Sequence, residues 1–338
     1  MTPKARLLNV LCRQAVDRPP VICTGGMMNA AIIEIMNSKG HTLPEAHINS
    51  NNMAQLAADI HQFTGFENIG IPFCMTVEAE ILGSAVSYGT LSCEPKVIQE
   101  RFRELAEVVP EDITHILTQG RVQVVLDAIR EVSTAYPEIP VVGNICGPVS
   151  LAASLVDPMA MLKGLRRDKA SAHRVFDYVS ALLGRLACLM VENGASVISI
   201  GDPTATGEIL GPELFEEYAV HYINQIIEAV HASETKVIVH ICGNMNRVRQ
   251  LLPAIHADAV SVDALIDLRK LKDDFPQMTV MGNVSTYLLQ KGPADKIRVT
   301  AQRLVEQGVD IISPACGLST STSIQMIQAM TKAVKNNE

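Results

Sequence analysis

The sequence predicts an α/β protein, a single (β/α)8 barrel over residues 1–338 that begins with a short N-terminal helix. Three observations predict it. Eight short runs rich in Val and Ile alternate with segments of helical period, as parallel strands covered on both faces require. No GxGxxG follows the first run, so the main signal for a doubly wound dinucleotide fold is missing. No linker or repeat divides the chain, and 48% of its 338 residues are hydrophobic, enough for one large core.

Taken in order, a helix is expected over 3–18, ended by Pro19 and Pro20. Val21-Ile22-Cys23 is a first strand breaking at Gly25-Gly26, followed by Met27-Met28-Asn29 and a helix to about Asn37. Residues 53–64 are helical, with Ala54, Leu56, Ala57 and Ile60 on one face. The second strand is 68–73, and Glu78 and Glu80 follow its end. Residues 75–95 lack helical period and read as loop or small hairpin, with helices expected at 97–108 and 111–135. The third strand, 140–146, runs into Gly147-Pro148, and helices follow at 150–165 and 168–193. Ala195–Asp202 is the fourth strand, 212–232 a helix, and Lys236–Cys242 the fifth strand. Helices at 244–255, 266–273, 293–307 and 322–335 then alternate with strands at 259–263, 279–283 and 310–314.

Composition narrows the function. Net charge is -8, with no basic stripe, which argues against nucleic acid or an anionic membrane as partner. No apolar run approaches the roughly 18 residues of a membrane span, and the N-terminus has no signal-peptide core, so a cytoplasmic protein is expected. There the eight cysteines stay reduced, which favours metal or catalytic roles over disulfides.

Chemistry in such a barrel lies at the C-terminal ends of the strands. His240 and Cys242 are two apart and point to one face of an extended strand, while Cys316 ends the last run. Two thiolates and an imidazole suit zinc, and three protein ligands leave one position open for chemistry. Taken singly, these would equally be buried cysteines and a core histidine; that both runs stop at the mouth favours the metal. Cys146 is either a rival ligand or a small apolar filler. Asp263 is either a weak fourth ligand or the cap of the next helix. Asp202 is either an acceptor at the mouth or the cap of the turn at Pro203. Met27, Asn29, Glu78 and Asn144 stand at other strand ends and are candidates to touch a bound substrate. Ser319, Thr320 and Ser321 precede the last helix, where hydroxyls and free N–H groups suit an anion, although ordinary N-capping also explains one of them.

Longer pieces carry a resemblance. They are Pro20–Asn29, Gly65–Glu80, Gly201–Pro212, His240–Gly243 and Ser313–Gly317. With them the chain resembles the uroporphyrinogen decarboxylase superfamily and, within it, the methylcobamide:coenzyme M methyltransferases. The resemblance implies His240, Cys242 and Cys316 as ligands of one Zn²⁺ per chain. It implies a methylated corrinoid protein as partner and methyl donor, and a small thiol, coenzyme M, as acceptor. The alternatives are a porphyrinogen decarboxylase or a corrinoid-protein-binding barrel without catalysis. Against the decarboxylase, Thr24–Asn29 lacks the arginine pair those enzymes carry after the first strand.

Overall fold

Seven of the eight expected runs are strands of one parallel sheet in the computed structural model, which describes residues 1–335. In chain order the strands are β1 (Ile69–Ile71), β2 (Ala85–Ser87), β3 (Lys96–Gln99), β4 (Val141–Cys146), β5 (Val197–Gly201), β6 (Lys236–Ile241), β7 (Ala259–Val262), β8 (Val280–Val284) and β9 (Ile311–Pro314). The sheet runs β1-β4-β5-β6-β7-β8-β9, and β2 and β3 form a separate antiparallel hairpin. Every residue of β4 and β5 is buried, because helices cover the sheet face that would otherwise meet water.

The covering helices are amphipathic. Val122–Ala135 buries Val122, Val125, Leu126, Ile129 and Val132, one stripe at helical spacing. Ser50–Thr64 starts where the Asn49 side chain accepts the Asn52 N–H, and it stops at Gly65, whose φ of 78° suits a left-handed cap. Among the described residues, no helix is long and apolar enough to cross a membrane.

The first expected strand is not a regular one. Val21 makes an isolated parallel bridge to Ile312 on β9. The Ile22 N–H donates to the Ile312 carbonyl at 3.0 Å, and the Ile312 N–H donates to Pro20 at 2.9 Å. Toward β1, side chains replace half of the ladder. The Asn68 side-chain amide donates to the Cys23 carbonyl at 2.8 Å and accepts the Cys23 N–H at 2.9 Å. The Glu67 carboxylate accepts the Val21 N–H at 3.0 Å, while Arg6 and Arg18 hold that carboxylate from the other side. Residues 20–23 therefore bond to β9 on one side and to the two residues just before β1 on the other, although backbone pairing is too sparse to make them a strand.

Several helix boundaries move. The opening helix is Pro3–Leu11, not 3–18; Arg13 turns at φ 56°, and the chain doubles back so that Asp17 meets Arg6. Residues 97–108 are not a helix. Lys96–Gln99 pairs in the hairpin, and Phe102 exchanges backbone bonds with Leu155 and Asp157. The expected helix 111–135 is split into Ile113–Ile116 and Val122–Ala135 around Gly120, which has φ 54°. Between 244 and 255 there is a 3-10 turn, Arg249–Ala254, because Asn244 bonds the Asn246 N–H and Pro253 lacks a donor. The helix after β5 contains a π-helical turn, Phe215–Val220, that the periodicity did not reveal.

Candidate metal centre

The ends of β6 and β9 meet although two strands separate them in the sheet. One ligand atom each from His240, Cys242 and Cys316 lies within 4.8 Å of the other two. His240 is on β6, Cys242 follows its last residue, and Cys316 is two residues beyond β9. All eight cysteines are free thiols.

His240 is fully buried and directional. Its Nδ1 lies 2.9 Å from Ser261 Oγ, the neighbouring position of β7 in register. Its Nε2 is buried with no hydrogen-bond partner among the described residues. A buried imidazole nitrogen left unpaired carries a desolvation cost that a coordinated cation removes. With Nδ1–H donated to Ser261, the Nε2 lone pair is the one left for a metal.

The two thiols are electrostatically coupled. The Cys242 hydrogen bond holds the Cys316 pKa down to about 4, against burial. The same bond, together with burial, pushes Cys242 up. Two sulfurs this close resist double ionisation unless a cation compensates them. Two sulfurs and one nitrogen suit a borderline-soft ion with a position left open.

The other candidates fall into two groups. Asp263 is outside the ligand triangle. Its carboxylate accepts the Gly243 N–H at 3.3 Å and the Leu265 N–H at 3.1 Å, so it shapes the turn that presents Cys242. Cys146 is buried, and its N–H donates to Glu78 at 2.8 Å. Burial pushes Glu78 up to about 7 and Asp202 up to about 6. Asp202 is fully buried and accepts the Val149 and Ser150 N–H groups and the Ser150 hydroxyl, capping the helix Pro148–Leu155. Asn144 donates to the carbonyls of Thr24, Ile71 and Val142. Glu78, Asn144 and Asp202 thus hold strand ends and loops from beneath the mouth.

Met27 is half-buried beside Gly201, with Met75 close by. Asn29 is buried; its side-chain amide donates to Glu94 at 2.8 Å, and its backbone carbonyl accepts the Leu318 N–H at 3.1 Å. The stretch after Cys316 differs from the expectation of an open anion seat. Gln290 donates to the hydroxyls of both Ser319 and Ser321, and Thr320 Oγ1 donates to Ser92 on the hairpin. The first N–H of the helix Ile324–Lys335 is already taken by the Glu34 carboxylate at 2.8 Å. A second anion there would meet like charge.

Sequence reasoning missed Ser261 and Arg121. Ser261 had one signal, a lone hydroxyl inside an apolar run, but register rather than spacing puts it behind His240. Arg121 donates to Thr76 Oγ1 at 2.9 Å, pairs with Glu80 and lies 4.9 Å from the Tyr88 ring centroid, tying the hairpin to the strand ends.

Comparison with known proteins bears on the family and the fold. The family model described as uroporphyrinogen decarboxylase (URO-D) matches residues 2–337. Methylcobamide:CoM methyltransferase MtbA from Methanosarcina acetivorans is 32% identical over 338 residues, covering 99% of this chain and 98% of that protein. Methylcobamide:CoM methyltransferase MtaA from Methanosarcina barkeri is 30% identical, covering 98% and 97%. A solved methyltransferase from Methanosarcina mazei superposes with TM-score 0.93 at 30% identity over 99% of both chains.

Proposed function

Because this chain belongs to the uroporphyrinogen decarboxylase family, we propose that it is a zinc enzyme that moves a methyl group from a methylated corrinoid to a small thiol. The thiol is coenzyme M, as in the names of its relatives. The corrinoid is presented at the mouth by a partner protein. One observation carries the reading: two thiols converge on the unpaired Nε2 of a buried histidine at the strand ends. The sheet closes through residues 20–23 into one (β/α)8 domain. The protein works in the cytoplasm, where thiols stay reduced.

Cys242 and Cys316 as thiolates, and His240 through Nε2, would hold the ion and leave one position free. Bound zinc would supply the charge that lets an incoming thiol be held as its thiolate at neutral pH. Ser261 fixes the imidazole tautomer. The two cysteine thiolates would offset the ion's charge and so leave the incoming sulfur electron density for attack. That sulfur would take the methyl group, the carbon–cobalt bonding pair remaining with the corrinoid. No general base is needed once the thiol proton has gone. Met27, half-buried beside Gly201, would line the corrinoid's approach, while Glu78, Asn144 and Asp202 keep the loops in place.

The test is incubation with free methylcobalamin and coenzyme M. Co(I) absorbance and methylated thiol should both appear. About one zinc per chain and about one proton released per zinc on thiol binding are expected. Tight thiol binding near pH 7 without proton release would sink the thiolate route. Ser261→Ala should weaken zinc binding roughly 10–100-fold, as loss of a ligand-orienting partner does; competition against a chromophoric chelator measures it. An unchanged affinity would mean that Ser261 does not orient the ligand.

A further inference from the structure

Beyond the metal triangle, the turn after β7 and the helix Ala294–Glu306 enclose a groove of about 750 Å³. That is the size of a small-molecule pocket. Its floor is apolar, with Ile266, Leu268 and Leu304 lining it and buried. Leu265 and Tyr287 line it as well, yet they are 65% and 75% exposed, large apolar side chains left to water. The wall is set before any ligand arrives. Asn283, at the end of β8, lines the groove and donates its amide to the carbonyls of Asp263 and Ile266, both at 2.8 Å.

The polar lining is mostly cationic. Lys296, Thr300 and Arg303 fall at i, i+4 and i+7, one stripe of their helix, and Lys291 joins them from the helix Thr286–Lys291. Among the described residues, none of these three cations has an ion pair or a side-chain hydrogen bond. Elsewhere on the same helix Arg298 does pair, with Asp295. The carboxylate that lines the groove, Asp267, accepts the Lys270 N–H at 3.1 Å and caps the helix Leu268–Asp274. Three uncompensated cations around one cavity repel one another, and an anion among them relieves that repulsion. No cysteine or histidine lines the groove, so it offers recognition without a nucleophile or a metal ligand.

We infer that this groove is a second binding site, for an organic anion with an aromatic or apolar body. The body lies against Leu265, Tyr287 and the buried floor, and the anionic group meets Lys291, Lys296 and Arg303. The site goes beyond the methyl-transfer reading and does not rest on it, because none of its lining residues belongs to the metal triangle.

The test is fluorescence titration of the full chain with two dyes that share one body. One is 1-anilinonaphthalene-8-sulfonate, and the other is N-phenyl-1-naphthylamine, which lacks the sulfonate. The sulfonate dye should bind at one site per chain. Lys296→Glu and Arg303→Glu should each weaken it about tenfold and leave the uncharged dye within about twofold. Leu265→Ser combined with Tyr287→Ser should weaken both dyes. All four positions are exposed, so the fold should persist, and circular dichroism checks this. No binding of the sulfonate dye, unchanged affinity in the charge variants, or equal loss of both dyes in them each overturns the anion site. Wild-type affinity for both dyes in the Leu265, Tyr287 double variant overturns the placement of the body.

Discussion

Cys242→Ala and Cys316→Ala are each expected to strip the metal and reduce methyl transfer by at least about a thousandfold, since the step depends on a metal-held thiolate. Each leaves one sulfur and one nitrogen, too few donors for tight zinc binding. The fold should survive. Both cysteines are half-buried and lie beyond the last residues of β6 and β9, so neither truncation opens a cavity in the core. A loss of about 1 kcal/mol, typical of point substitutions, is the expected stability change. Elemental analysis after gel filtration measures metal per chain, and far-ultraviolet circular dichroism with thermal melting checks the fold. Full zinc occupancy in both variants would remove these residues from the site. Loss of metal together with collapse of the fold would make the centre structural.

The centre was readable in the sequence because both halves obey short-range rules. His240 and Cys242 share a strand face through a spacing of two, and Cys316 follows a run that β-branched residues mark as buried. Their convergence followed from the strand count and from the rule that barrel chemistry collects at one end. What surrounds the centre obeys no such rule. Ser261 meets His240 through parallel register, which depends on how the crossover between β6 and β7 packs. Glu94 reaches Asn29 through the hairpin, and that hairpin competes with a plausible helical stripe of Val97, Phe102 and Leu105. Tertiary bonds decide the competition: β3 pairs with β2, and Phe102 bonds to the backbone around Leu155. The first strand was misread for a related reason. Its apolar residues promise a ladder, but Glu67 and Asn68 supply side-chain bonds where backbone pairs would stand. Side-chain substitution of this kind leaves no periodic trace.

That irregular first segment is also where a second large effect is expected, from Gly70→Ala. β1 pairs with β4 on one side, Gly70 opposite Val142, and its other side faces the backbone of Thr24 and Gly25. A Cβ at Gly70 would overlap the Thr24 carbonyl and come within 2.8 Å of the Gly25 nitrogen. These are backbone atoms, with no flexible side-chain end to swing away. The Thr24 carbonyl is fixed by the Asn144 amide at 2.7 Å, and the Gly26 N–H donates to Pro72 at 2.7 Å, so the loop has no slack. Either β1 parts from β4 or residues 24–26 lift. Overpacking of this kind typically costs ~1–3 kcal/mol, and a clash with two fixed backbone groups belongs at or above the upper end. The strain should also reach the metal centre. The loop continues to Met27, whose carbonyl packs against Gly317 so closely that no side chain fits there, and Gly317 adjoins Cys316. Urea denaturation should therefore show lost stability, and chelator competition should show weakened zinc binding in the protein that remains folded. Wild-type stability in Gly70→Ala would mean that residues 20–26 move freely and do not close the sheet. Lost stability with unchanged zinc affinity would place Cys316 under the control of β9 alone.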